Sequence, residues 1–201
     1  MFREKLAQGR FVFTAEVAPP KGVDLTKTLH EVHEMKDYVD AINVTELQGG
    51  NMKMSSLAVS HFLLDEGAEP IFQLTASTRN RLAVQAEVLS AYALGIRNTL
   101  LMGGDPPSVG DHKDAKPVYD LDTISLFKTL RTLKEGRDLA GNSLEGAPKD
   151  FFVGGALNPG ASDFEAERKK MFEKIELGCE FFQTQAIFDP TQFEDFRNRI
   201  G

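Results

Sequence analysis

Glu16 is a carboxylate set inside an otherwise apolar run, Phe-Val-Phe-Thr-Ala-Glu-Val-Ala-Pro-Pro at residues 11–20. Burying it unpaired is costly, and desolvation raises a carboxyl pKa towards the range of a general acid near neutral pH. The competing assignment is a strand-end glutamate held by a neighbouring Lys or Arg. Asp105 follows two glycines in Leu-Leu-Met-Gly-Gly-Asp-Pro-Pro at residues 100–107. Gly103 and Gly104 carry no side chain and let a flat ligand approach the backbone, although the same residue types also build surface turns. Gln183 and Gln185 place two neutral amides on one face of an apolar strand. Each can donate and accept, which suits the edge of a heterocycle unless the pair satisfies itself.

Other residues point away from chemistry. The glycine pairs Gly49-Gly50 and Gly154-Gly155 make neither a Gly-x-Gly-x-x-Gly fingerprint nor a Walker loop. His30, His33, His61 and His112 lack Cys or carboxylate neighbours at metal-ligand spacing, so they read as solvated side chains and no metal site is expected. Cys179 is the single cysteine, which excludes an internal disulfide or a multi-cysteine cluster built from this chain alone, and it reads as a packed, inert thiol. A net charge of −7 without basic clusters among aromatics disfavours nucleic acid. No apolar stretch approaches the roughly 18 to 20 residues of a membrane span, and Met1 to Arg10 has no export-signal pattern. A soluble, cytoplasmic chain without membrane insertion is expected.

Positioning these groups falls to short apolar runs that alternate with longer segments of helical period, the pattern of repeated β-α units on a parallel sheet. Strands are expected at Phe11–Val17, Ala41–Thr45, Pro70–Leu74, Asn98–Met102, Phe151–Gly155 and Glu180–Gln185. Helices are expected at Asp24–Lys36, Met54–Glu66, Arg79–Leu94, Asp122–Arg137, Phe164–Leu177 and from Pro190, with Asp24 capping the first of them. The run Glu165 to Lys174 mixes both charge signs at helical spacing and reads as a solvated face with one lysine in reach of a phosphate. Period-two alternation sets Phe11, Phe13, Ala15 and Val17 on one face of the first strand and Thr14 with Glu16 on the other. It likewise pairs Asn43 with Thr45, Gln73 with Thr75, and Gln183 with Gln185, each polar pair late in its strand. Strands covered by helices on both faces are apolar on both, whereas a barrel puts polar side chains at the top of its lumen, where active sites lie. The reading is therefore a TIM (β/α)8-type barrel with about six βα units present. Residues 1–201 are expected to form one domain, incomplete at its C-terminus because six units do not close eight strands.

Taken in order, Phe-Thr-Ala-Glu-Val-Ala-Pro-Pro-Lys (13–21), Asn-Val-Thr (43–45), Gln-Leu-Thr (73–75), Gly-Gly-Asp-Pro-Pro (103–107) and Gln-Thr-Gln-Ala-Ile-Phe-Asp (183–189) resemble the methylenetetrahydrofolate reductase family over nearly the whole chain. The resemblance implies a flavin-containing barrel of one-carbon metabolism and methionine biosynthesis. Its reaction passes a hydride from reduced flavin to 5,10-methylenetetrahydrofolate, giving 5-methyltetrahydrofolate. By the same resemblance Glu16 is the acid that protonates the folate to generate the reactive iminium, Asp105 is the charge beside pterin and flavin, and Gln185, with Gln183, binds folate. Thr45, Gln73, Gly103, Gly104, Asp105 and Lys174 fall at flavin-contact positions. The cofactor expected is FAD, with FMN as the alternative, and NAD(P)H is a candidate electron donor.

The chain also departs from the family pattern. Gly103 stands where many members carry arginine, Gln73 where many carry histidine, Ala18 where an aromatic is common, and Asn158-Pro159 replaces a histidine-containing stretch. This variant pattern is similar to the branch of folate-dependent energy metabolism that takes electrons through partner subunits. The expected partners are thus a folate substrate and an electron-transfer subunit, within a homo- or hetero-oligomer. Two other functions compete: a non-catalytic barrel docked in a larger redox assembly, and a pterin-binding methyltransferase barrel that needs no flavin.

Overall fold

The computed structural model of the protein describes residues 1–200. Strands β1 (Thr14–Val17), β2 (Ala41–Val44), β3 (Pro70–Thr75), β4 (Asn98–Met102), β5 (Phe152–Leu157) and β6 (Phe181–Thr184) form one sheet in the order β1-β2-β3-β4-β5-β6, every pair parallel. Helix α1 (Phe2–Ala7) precedes the sheet. The strands then alternate with α2 (Thr26–Met35), α3 (Ser56–Asp65), α4 (Arg81–Ala93), α5 (Thr123–Lys134) and α6 (Phe164–Glu176), and α7 (Pro190–Ile200) follows β6. Because each strand pairs with its sequence neighbour, the order never reverses, and an open doubly wound sheet is excluded. The sheet curls instead into a half-barrel with its helices outside, part of a (β/α)8 architecture. Among the described residues no helix is long and apolar enough to cross a membrane, and no group of His, Cys, Asp and Glu side chains could hold a metal.

Side-chain parity explains the two cores. Val17, Ile42, Val44, Phe72, Leu74, Leu101 and Val153 point outward and pack under the helices, against Val32, Val59, Leu63, Val84, Val88, Leu126, Phe127 and Leu130. The alternate residues Ala41, Ile71, Leu100 and Phe152 point inward, and these side chains from four strands meet the ring of Phe2, which only a curved sheet allows. Several helices start one or two residues later than periodicity suggests, because residues counted into them act as caps. Ser55, Asn80 and Asp122 accept hydrogen bonds from the backbone N–H groups of Leu57, Ala83 and Ser125 at 3.2, 3.0 and 2.7 Å, while α6 starts at Phe164 as expected, with Asp163 capping Ala166 at 2.9 Å. At α2 the N-cap position is Leu25, not Asp24 as expected; Asp24, one residue before it, accepts the N–H of Thr26 at 2.9 Å.

One further expectation is corrected, and one element is new. The first strand begins at Thr14, not Phe11; Phe11 and Phe13 are 82% and 63% exposed and stack edge to face at 5.0 Å outside the ladder. The reason is position: β1 is an edge of the sheet, and helix packing begins only at Val17. The charged start of the chain, moreover, is helical. Its six residues are too few for an isolated helix, and tertiary contacts stabilise it. The backbone N–H of Phe2 donates to Glu69 at 2.8 Å, Arg3 pairs with Glu180 at 2.9 Å, and Lys5 pairs with Asp40. Thus α1 links the feet of β2, β3 and β6 and plugs the lumen floor, where Phe2 meets Phe152 and Phe181 at centroid distances of 5.8 and 5.3 Å. Truncating this ring leaves a void that polar ends cannot refill. Phe2→Ala is expected to cost about 3–5 kcal/mol in a urea titration; a loss under about 1 kcal/mol would show that the plug is dispensable.

Candidate functional site

The ladder transmits one parity around the lumen. Glu16 is in register with Asn43, Gln73 with Leu100, Thr75 with Met102, and Ala156 with Gln183. Above the apolar floor these side chains, buried Asn43 apart, converge near the C-terminal strand ends on a cavity of about 750 Å3. Every residue given a catalytic or binding role from the sequence lines it: Glu16, Thr45, Gln73, Gly103, Gly104, Asp105, Lys174, Gln183 and Gln185. That size lies within the range of small-molecule and cofactor pockets.

Glu16 is not buried as its apolar context suggests. It stands on the edge strand with its side chain partly in solvent, yet enough protein crowds it for desolvation to raise its pKa. No Lys or Arg pairs with it among the described residues, which removes the ion-pair alternative. Asp105 sits at the mouth just beyond β4, and its Oδ2 accepts the backbone N–H of Gly49 at 2.8 Å. Gln183 and Gln185 both border the cavity and do not hydrogen-bond one another, so the self-satisfied pair is not formed. On the opposite wall the hydroxyls of Thr45 and Thr75 are buried without partners, in residues 3% and 2% exposed. Such groups are costly unless a ligand or ordered water completes them.

Lys174 differs from its expected setting. Instead of standing on a solvated face it is buried, its Nζ donating to the carbonyl of Ala156 at 2.6 Å, and desolvation lowers its pKa against the opposing pull of Glu167. Its stem runs under β5 because Gly155 leaves room there; a Cβ at that position would lie 3.3 Å from Lys174 Cδ. Cys179 is a packed thiol as expected, pushed up to about 12 by burial.

Sequence reading overlooked two features. Glu46, directly after Thr45, is 5% exposed and accepts the N–H of Ser56 at 2.8 Å while pairing with Arg79, so it clamps the start of α3 beneath the cavity. Its opposite parity to Thr45 was the available signal, since a carboxylate turned towards the helices needs a partner. The second is a knot of three loops. Asp111 accepts from Lys21, from the N–H of Met52 at 3.0 Å and from His112 at 2.8 Å. These donors hold its carboxyl far below the usual range. Gly50 packs against the same loop, where a Cβ would lie 2.8 Å from the Pro106 carbonyl. The loops after β1, β2 and β4 are thereby fastened together, and Asp105 is carried on the knot.

The donor set suits a flat heterocycle. Amides of Gln73, Gln183 and Gln185 and the orphaned threonine hydroxyls offer edge hydrogen bonds. Leu100, Met102 and Ala156 offer apolar surface, and Gly103 and Gly104 leave a bare backbone edge.

Comparison with known proteins adds independent findings. The family model described as methylenetetrahydrofolate reductase matches residues 1–201. Methylenetetrahydrofolate reductase 2 of Schizosaccharomyces pombe is 25% identical over an alignment of 201 residues that covers 98% of this chain and 31% of that protein. The chain thus spans less than a third of the length of this curated relative. A Clostridium thermocellum protein solved with two bound copies of 5-methyl-5,6,7,8-tetrahydrofolic acid superposes with a TM-score of 0.64 at 15% identity, over 100% of this chain and 63% of that one. A 2,3-dimethylmalate lyase of the PEP mutase/isocitrate lyase superfamily superposes with a TM-score of 0.58 at 8% identity, over 94% and 63%. These two structures are similar to the chain in fold.

Proposed function

The chain belongs to the methylenetetrahydrofolate reductase family, and on that premise we propose that its cavity holds a flavin beside a folate and serves the reduction of 5,10-methylenetetrahydrofolate to 5-methyltetrahydrofolate. The observation that carries this reading is the convergence of Glu16, Asp105 and Gln185, from three distant segments, on one cavity walled by unpartnered hydroxyls and bare glycine backbone. FAD is the flavin we propose, with FMN as the alternative and NAD(P)H or a partner subunit as the electron source.

Bound flavin would supply the hydride. Glu16 gives its proton to the folate nitrogen whose bond to the bridging methylene breaks, leaving an iminium cation to be reduced. Desolvation favours this role by keeping the carboxyl protonated to higher pH. Asp105, fixed through Gly49, sets a negative charge beside that cation. Gln183 and Gln185 present donor and acceptor groups to the pterin edge. Gln73, Thr45, Thr75 and the Gly103-Gly104 backbone would hold the flavin.

The test is anaerobic. Purified protein is titrated with FAD or FMN, reduced with dithionite and mixed with 5,10-methylenetetrahydrofolate while flavin absorbance is followed. Saturable binding of one flavin and reoxidation that depends on the folate are expected. Failure of both flavins to bind, or reoxidation indifferent to folate, would remove the proposal.

A further inference from the structure

Asn43 is a buried residue on the inner face of β2, just outside the cavity lining, that no role above absorbs. It lies on β2 in register with Glu16 of β1, so the two share a face on strands about 4.8 Å apart. The residue is 2% exposed. One end of its carboxamide is engaged, Nδ2 donating to the Ala15 carbonyl at 3.3 Å, and that bond settles which way the amide points. The other end, Oδ1, is buried without a partner. An amide oxygen can be satisfied only by a donor; an ionised carboxylate has none, whereas a carboxylic acid has one O–H.

We propose that Asn43 is a positioning residue whose Oδ1 accepts the O–H of protonated Glu16, holding the acid neutral and oriented on the cavity wall before proton transfer. This rests on the reading of Glu16 as the acid. Desolvation of Glu16 acts in the same direction. The charged groups that border the same cavity are engaged elsewhere: Glu46 by Arg79 and the Ser56 N–H, Asp105 by the Gly49 N–H, and Lys174 by the Ala156 carbonyl.

The experiment is an NMR titration of the whole chain, labelled with carbon-13 and nitrogen-15 in Glu and Asn, with no folate or flavin added. The Asn43 carboxamide is expected to shift with the same apparent pKa as the Glu16 carboxyl carbon, and to stop shifting in Glu16→Ala. Asn43→Leu removes the acceptor while adding apolar surface, so a fall in the Glu16 pKa, by about half a unit to one unit, reports the lost hydrogen bond and not desolvation. Asn43→Ser, which keeps an acceptor, is expected to recover part of that fall. An Asn43 signal that stays flat while Glu16 titrates overturns the proposal, as does a Glu16 pKa unchanged or raised in Asn43→Leu. The wild-type titration decides the matter alone if the leucine variant does not fold. Coupling without hydride transfer would sink only the enzymatic reading, and hydride transfer without coupling only the role of Asn43.

Discussion

Glu16→Gln is expected to lower turnover of 5,10-methylenetetrahydrofolate by about 10²- to 10⁴-fold, the range typical of losing a positioned general acid. Glutamine keeps the shape and hydrogen-bonding edge of the acid but has no proton to give, so flavin affinity should stay within about twofold while the chemical step collapses. The pH profile carries the same signature. The acid works only when protonated, and its pKa is raised by desolvation. Activity should therefore persist above the ordinary carboxylate range and fall as pH rises through the raised value. Stability moves with the same sign. A carboxyl whose folded pKa exceeds its unfolded one contributes fully below the unfolded value and loses that contribution as pH rises through the folded one. Above its raised pKa the ionised Glu16 thus weakens the fold, and Glu16→Gln should raise the melting temperature there while abolishing activity. Stopped-flow reduction and thermal melts on the same samples measure both. A glutamine variant with wild-type turnover would end the assignment.

Gly104→Val is expected to destabilise the protein by about 3 kcal/mol and to weaken flavin binding at least 100-fold. Gly104 has φ +82°, a left-handed conformation that a β-branched residue almost never adopts. A Cβ there would lie 2.5 Å from the Ser77 hydroxyl and 2.7 Å from Thr75 Cβ, so the end of β4 must move and carry Asp105 with it. Gly103 provides the contrast. Its φ is not left-handed, and a Cβ would meet Thr123 Oγ1 at an ordinary 3.4 Å. Gly103→Ala should fold normally and alter only ligand affinity. Denaturant titration and flavin titration separate the two variants; equal stability for both would refute the argument from backbone conformation.

Much of this site was legible along the chain because a strand's side chains alternate with period two, a local property that survives any error in strand ends. That is why Glu16, Gln73 and Gln183 could be assigned to an inner face even though β1 starts three residues later than expected and β5 ends two later. Glycine pairs beside an aspartate and amides in apolar strands were visible for the same reason: a residue type out of keeping with its neighbours needs no coordinates to be noticed.

What the sequence by itself determined is the alternation of strand and helix, the face each polar side chain takes, and membership of the candidate set. Tertiary structure alone decided that Glu16 sits on an exposed edge, that Lys174 is drawn under β5, that Phe2 plugs the lumen, and that Asp111 fastens three loops. Each of these depends on curvature and register between segments far apart in the chain. The free energies involved, burial of a ring or satisfaction of a carboxylate, arise only when those segments meet. Local periodicity can say which way a side chain points; only the closed packing says what it meets there.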